Sequence, residues 1–223
     1  MLRWFGLLAF LAATAGEAGG EPRLLCDDAS LTVEGGSAAV RQRICDVVAR
    51  EVPKLASCNV RVPADLTLRI EKDLAPDCMG LFHCGKSLIQ LLPPDLMSER
   101  RRPDRAFATV PDGAYFDSVI VHELTHAAYD AVPCPFTHCV ATTEYVAYAM
   151  QIRSLPPGAR AAFEAASEID HDIARDELNA MYYAFAPDRF AQKAWLHFTQ
   201  REDGCALIGQ VMDGAVFFDQ EHF

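Results

Sequence analysis

The chain has 223 residues, a formal net charge of −11 and 51% hydrophobic residues. That is enough for one good-sized domain or two small lobes. The acidic balance disfavours nucleic acid and anionic membranes as partners. After the N-terminus no stretch approaches the roughly eighteen continuous apolar residues of a membrane span, which excludes an integral membrane protein once that end is removed.

Residues 1–18 read as a secretory signal peptide. Arg3 supplies a short positive start, 4–11 is an apolar run, and Ala13-Thr14-Ala15 or Gly16-Glu17-Ala18 offers small residues for cleavage. The mature chain, 19–223, is then a single domain, secreted or periplasmic. All eight cysteines follow the signal: Cys26, Cys45, Cys58, Cys78, Cys84, Cys134, Cys139 and Cys205. In an exported chain an even number reads as a disulfide framework. The short spacings favour Cys78/Cys84 and Cys134/Cys139 as pairs. No Cys-x-x-Cys occurs, so a thiolate zinc site is poorly supported.

In chain order, 30–33 is a short strand closed by Gly35-Gly36. Ser37 caps a helix that runs to about Val52 and ends at Pro53, with Val40, Ile44, Val47 and Val48 on one face. The alternation over 65–71 is that of a half-buried strand. A cysteine-bounded loop is expected over 76–85, and a strand over 87–92 ended by Pro93-Pro94, which suits an edge position. The span 95–110 reads as polar loop with one helical turn, its basic run Arg100-Arg101-Arg102 solvated. Asp112 or Asp117 can cap a helix that stops before Pro133. After the 134–139 turn, Thr142 or Thr143 caps a second helix through about Ser154. A long helical pattern over 159–185 breaks near Ser167, Pro187 opens a helix to about Phe198, and 204–212 adds another. Strands and one helix before the central helix, and helices after it, make an α+β arrangement with a mixed N-terminal lobe and a helical C-terminal lobe.

The central helix carries His122-Glu123-Leu124-Thr125-His126, a His-Glu-x-x-His pattern. At i and i+4 both imidazoles leave one helix face, a turn apart, where two ring nitrogens can bind one zinc ion. Glu123 is placed to act as general base toward a water at that metal. The apolar, Pro-free and Gly-free surroundings suit a helix buried on most sides. A buried helix whose histidines are satisfied by hydrogen bonds is the plainer alternative.

A catalytic zinc site needs a third protein ligand. Glu144, on the next predicted helix, is the best candidate, because a carboxylate in an apolar helix is expensive to bury unless paired or metal-bound. His138 in the cysteine-bounded turn, Asp130 one turn past His126, and Glu164 are rivals. An exposed first-turn glutamate is the alternative reading of Glu144. His83, His171, His197 and His222 have no spacing that argues for ligation.

With His122, Glu123, His126 and Glu144 in this order, the chain resembles the zincin metallopeptidases, and among them the gluzincin type. The metzincin extension is absent, and Glu144 stands where aspzincins have an aspartate. The resemblance implies a zincin-like fold, a Zn2+ cofactor, and hydrolysis of peptide or protein substrates with Glu123 as general base. It further implies an edge strand at 87–92 that holds an extended peptide by main-chain pairing. A donor for the developing oxyanion is also implied; Tyr148 is the candidate, with Tyr129 and Tyr145 as alternatives. Two other readings stand beside this one. One is a zincin-fold metal-binding module without peptidase activity. The other is a disulfide-stapled interaction protein in which the motif is incidental.

Overall fold

The computed structural model describes residues 22–27 and 30–220; the expected signal peptide lies outside them. Five strands, β1 (Arg23–Cys26), β2 (Leu31–Glu34), β3 (Thr67–Ile70), β4 (Gly80–Phe82) and β5 (Leu88–Leu91), form one sheet in the order β1-β2-β3-β5-β4. The two outer pairings are antiparallel and the two inner ones parallel. Each strand alternates, so that Leu31, Val33, Leu68, Ile89 and Leu91 turn into the core.

Helix α1 (Ala38–Ala56) packs its Ile44, Val47 and Val48 face into that core. Ser37 caps it by accepting the Val40 amide. Pro53 does not end α1 as expected. It falls in the last turn, where its missing N–H forfeits a single hydrogen bond. The strand expectations for 30–33 and 65–71 hold within a residue or two, whereas β1 lies in a stretch for which no element was expected.

Two expectations around β4 are corrected. The 76–85 segment is not only a loop: it contains β4, and β4 is the outer strand, so β5 lies inside the sheet between β3 and β4. The prolines after β5 begin helix α2 (Pro94–Arg100) and do not mark an edge. With β4 extended between them, Cys78 and Cys84 are held apart by a span of about 3.3 Å per residue, far beyond disulfide reach, and both are free thiols. The bridges are Cys26–Cys45, Cys58–Cys205 and Cys134–Cys139. The last was expected. Three disulfides fit an extracellular or otherwise oxidising compartment.

Helix α3 (Asp112–Tyr129) carries the motif and is buried on nearly every side. It lies against α1, β4 and β5 on one flank and α4 (Val140–Ser154) on the other. Phe116, Ile120 and Leu124 of α3 and Val146, Ala149 and Met150 of α4 are all buried. Neither Thr142 nor Thr143 caps α4, which starts earlier. Instead the buried Asp219 carboxylate, from the far end of the chain, accepts the amides of Ala141 (3.0 Å) and Thr142 (2.9 Å) and the Thr142 hydroxyl (2.6 Å).

The C-terminal part is mostly helical: α5 (Pro157–Ala165), a 3-10 turn at Arg175–Glu177, α6 (Ala180–Phe185), α7 (Pro187–Thr199) and α8 (Gly204–Met212). The 159–185 pattern is broken more widely than expected, with 166–174 irregular. A five-stranded mixed sheet with helices, followed by a mostly helical part, is an α+β fold. No helix among the described residues is long and apolar enough to cross a membrane.

Candidate metal centre

Helices α3 and α4 pack side by side because the Cys134–Cys139 turn reverses the chain between them. This brings His122, His126 and Glu144 together as a group that could hold a metal ion, and it is the one such group among the described residues. The two Nε2 atoms are 2.9 Å apart, and each is 3.6 Å from a different Glu144 carboxylate oxygen. Ligands around a tetrahedral zinc with arms of 2.0–2.1 Å stand about 3.3 Å from one another, so each of these separations is close to what a shared metal needs.

The far side of each ring is tied down. His122 Nδ1 lies 2.9 Å from Gln151 Oε1, and the Gln151 amide nitrogen donates to Ser118 Oγ at 3.3 Å. That second bond orients the amide, so Nδ1 of His122 carries the hydrogen and its Nε2 keeps a lone pair. The Thr143 hydroxyl, 3.0 Å from His126 Nδ1, can accept in the same way. Such partners set the tautomer and aim of metal-binding histidines. Glu144 Oε2 is buried with no hydrogen-bond partner, a costly state for a carboxylate oxygen and one a cation would relieve.

The electrostatics agree. Burial, then His126, drives His122 well below the usual histidine value, and burial takes His126 down to about 4; both rings are neutral at pH 7, as a metal requires. Burial pushes Glu144 up to about 7, partly opposed by the nearby Tyr183 hydroxyl. Burial, then the Glu144 charge, takes Glu123 up to about 8, opposed by a hydrogen bond from the Phe82 amide to Oε2 at 2.8 Å. A cation at this site would lower both carboxyls.

The group opens onto a cavity of about 830 Å3, lined by Glu123, Tyr148, Tyr129, Tyr183, the β4 residues and part of the 134–140 turn. The Tyr148 ring stands edge-on to His122 at 4.8 Å between centroids, and burial drives its hydroxyl well above the usual tyrosine range. Tyr145 does not reach the cavity: its hydroxyl pairs with His197 Nδ1 at 2.9 Å and its ring packs on Phe218. His138 lines the cavity but stands outside the metal group. Asp130 accepts the Gly85 amide and Glu164 accepts the Trp195 indole N–H, and neither belongs to the metal group.

Gln151, Thr143, Tyr183 and the Phe82 amide are neighbours of the site that the sequence reading missed. Gln151 was findable, since Glu144, Tyr148 and Gln151 follow the i, i+4, i+7 spacing of one helix face. Tyr183 and Phe82 come from distant segments and leave no local signal.

Comparison with known proteins identifies a family. The chain belongs to a family of unknown function (DUF6639), whose model matches residues 31–221. No curated protein and no solved structure matches it.

Proposed function

We propose that the chain is an exported zinc-dependent metallopeptidase of gluzincin type, with His122, His126 and Glu144 as metal ligands. The observation that carries this reading is the convergence of two neutral imidazoles and a carboxylate oxygen without a partner, with Glu123 on the helix of the two histidines and at the same cavity. A cation bound there would polarise a scissile carbonyl and acidify water.

The chain's own residues supply the rest. Gln151 and Thr143 hold the imidazoles in the ligating tautomer. Glu123 takes a proton from the attacking water and passes it to the leaving amine. Tyr148, whose hydroxyl keeps its proton at neutral pH, donates toward the developing oxyanion. The cavity is large enough for several residues of an extended peptide or protein segment.

The test is zinc per chain in the purified mature protein, with a peptide-library cleavage screen of the native chain and Glu123→Gln. About one zinc, lost in His126→Ala and Glu144→Ala, together with cleavage that disappears in Glu123→Gln while zinc stays, is the expected result. Bound zinc with no Glu123-dependent cleavage would favour a metal-binding module. No zinc, even when the metal is offered, would overturn the reading.

A further inference from the structure

The outer strand β4 stands against the motif helix, and its hydrogen-bonding pattern says which of its main-chain groups face outward. Leu81 pairs with Gln90, the His83 amide donates to the Leu88 carbonyl, and the Met79 carbonyl accepts the Leu92 amide just past the end of β5. Residues 79, 81 and 83 therefore spend their main-chain groups on that neighbour, and Gly80 and Phe82 turn theirs away from it.

Both outward positions meet Glu123. The Phe82 amide donates to Glu123 Oε2 at 2.8 Å. At Gly80, an added Cβ would lie 2.6 Å from Glu123 Cγ, 2.7 Å from Oε1 and 2.9 Å from Cδ. Those separations are far inside van der Waals contact, and the three atoms belong to a buried side chain pinned by a hydrogen bond. The glutamate lies flat against the strand only because residue 80 has no side chain.

We infer that Gly80 and the Phe82 main-chain amide are positioning elements for Glu123, so that β4 orients the base at this point and does not pair there with substrate. The inference rests on the reading of Glu123 as general base. The sequence expectation placed substrate pairing at 87–92 as the edge; the strand there is internal, and a peptide laid along the outer strand β4 finds the Phe82 amide already taken.

The test begins with a double-mutant cycle on the full mature chain. Gly80→Ala lowers Tm by about 3–10 °C in the native background, the size of an overpacking defect. It has no such effect in a Glu123→Ala background, where Cγ, Cδ and the carboxylate are gone. An equal loss in both backgrounds overturns the contact. Should Gly80→Ala fail to fold alone, Glu123→Ala carries the second measurement, amide hydrogen exchange by NMR. Exchange at Phe82 accelerates about tenfold or more while Leu81 keeps its protection; an unchanged Phe82 rate overturns the inference.

For the native chain cleaving a peptide from the library screen, Gly80→Ala lowers kcat by about a hundredfold with KM and zinc content unchanged. Unaltered kcat overturns the positioning role. If the native chain cleaves nothing while the cycle and the exchange behave as stated, the peptidase reading has failed and the strand–Glu123 contact has not.

Discussion

His122 and His126 could serve as metal ligands only because other side chains hold their rings in place. Gln151 accepts from His122 and is itself oriented by Ser118, so Gln151→Ala should weaken metal binding by about 10–100-fold with the fold intact, measured by competition with a chelating dye. The buried acids make a second prediction. In the metal-free chain burial pushes Glu123 up to about 8 and Glu144 up to about 7, above an ordinary glutamate. Between the unfolded and folded values the folded state holds more protons, so stability is lost as pH rises through that window. The depressed histidines act in the opposite sense, but only below about pH 6.5. From about pH 6.5 to 8.5 the metal-free protein should therefore lose Tm, and Glu144→Gln should flatten the decline. Differential scanning calorimetry after dialysis against a chelator checks both, and a rising Tm would contradict the buried-acid account.

At the scale of elements, α4 matters most, because it brings Glu144, Tyr148 and Gln151 to α3 on one face. Its first turn has no cap from its own neighbour Cys139; the buried Asp219 supplies one from the other end of the chain. Asp219→Ala should destabilise the protein by about 1–3 kcal/mol in chemical denaturation. It should also lower metal affinity, because fraying starts one turn from Glu144. A loss of stability with unchanged affinity would mean that α4 keeps its register without the cap. β4 teaches a related point. Three residues with a glycine and flanking cysteines look like a loop in sequence, and only pairing with β5 makes them a strand. The same pairing separates Cys78 from Cys84.

At the scale of the whole molecule, the sheet-bearing half and the helical half are tied together covalently by Cys58–Cys205, a bridge with a sequence separation of 147. Closing a loop of that size stabilises by about 5 kcal/mol in the chain-entropy model. Replacing both cysteines by serine should thus lower stability far more than opening Cys134–Cys139, whose loop spans 5 residues. Opening the small loop should instead act on the turn between α3 and α4, and so on metal affinity. Urea unfolding of the two double-serine variants, paired with metal titration, separates these effects.

The motif, the helix that bears it and the carboxylate that joins its histidines were legible in the sequence because each is a local pattern: i, i+4 histidines in an apolar run, and a lone carboxylate in the next apolar helix. Helices bounded by prolines and the alternating strands were legible for the same reason. What only the tertiary structure decided is everything that depends on segments far apart in the chain. The edge of the sheet, the partners of Cys26, Cys45, Cys58 and Cys205, the capping of α4 by Asp219, the approach of Tyr183 to Glu144, and the seating of Glu123 on Gly80 and Phe82 all belong to this class. Local periodicity records which face of an element is apolar. It does not record which element will cover that face, because many partners bury an apolar surface equally well, and the choice among them is made by the packing of the whole chain.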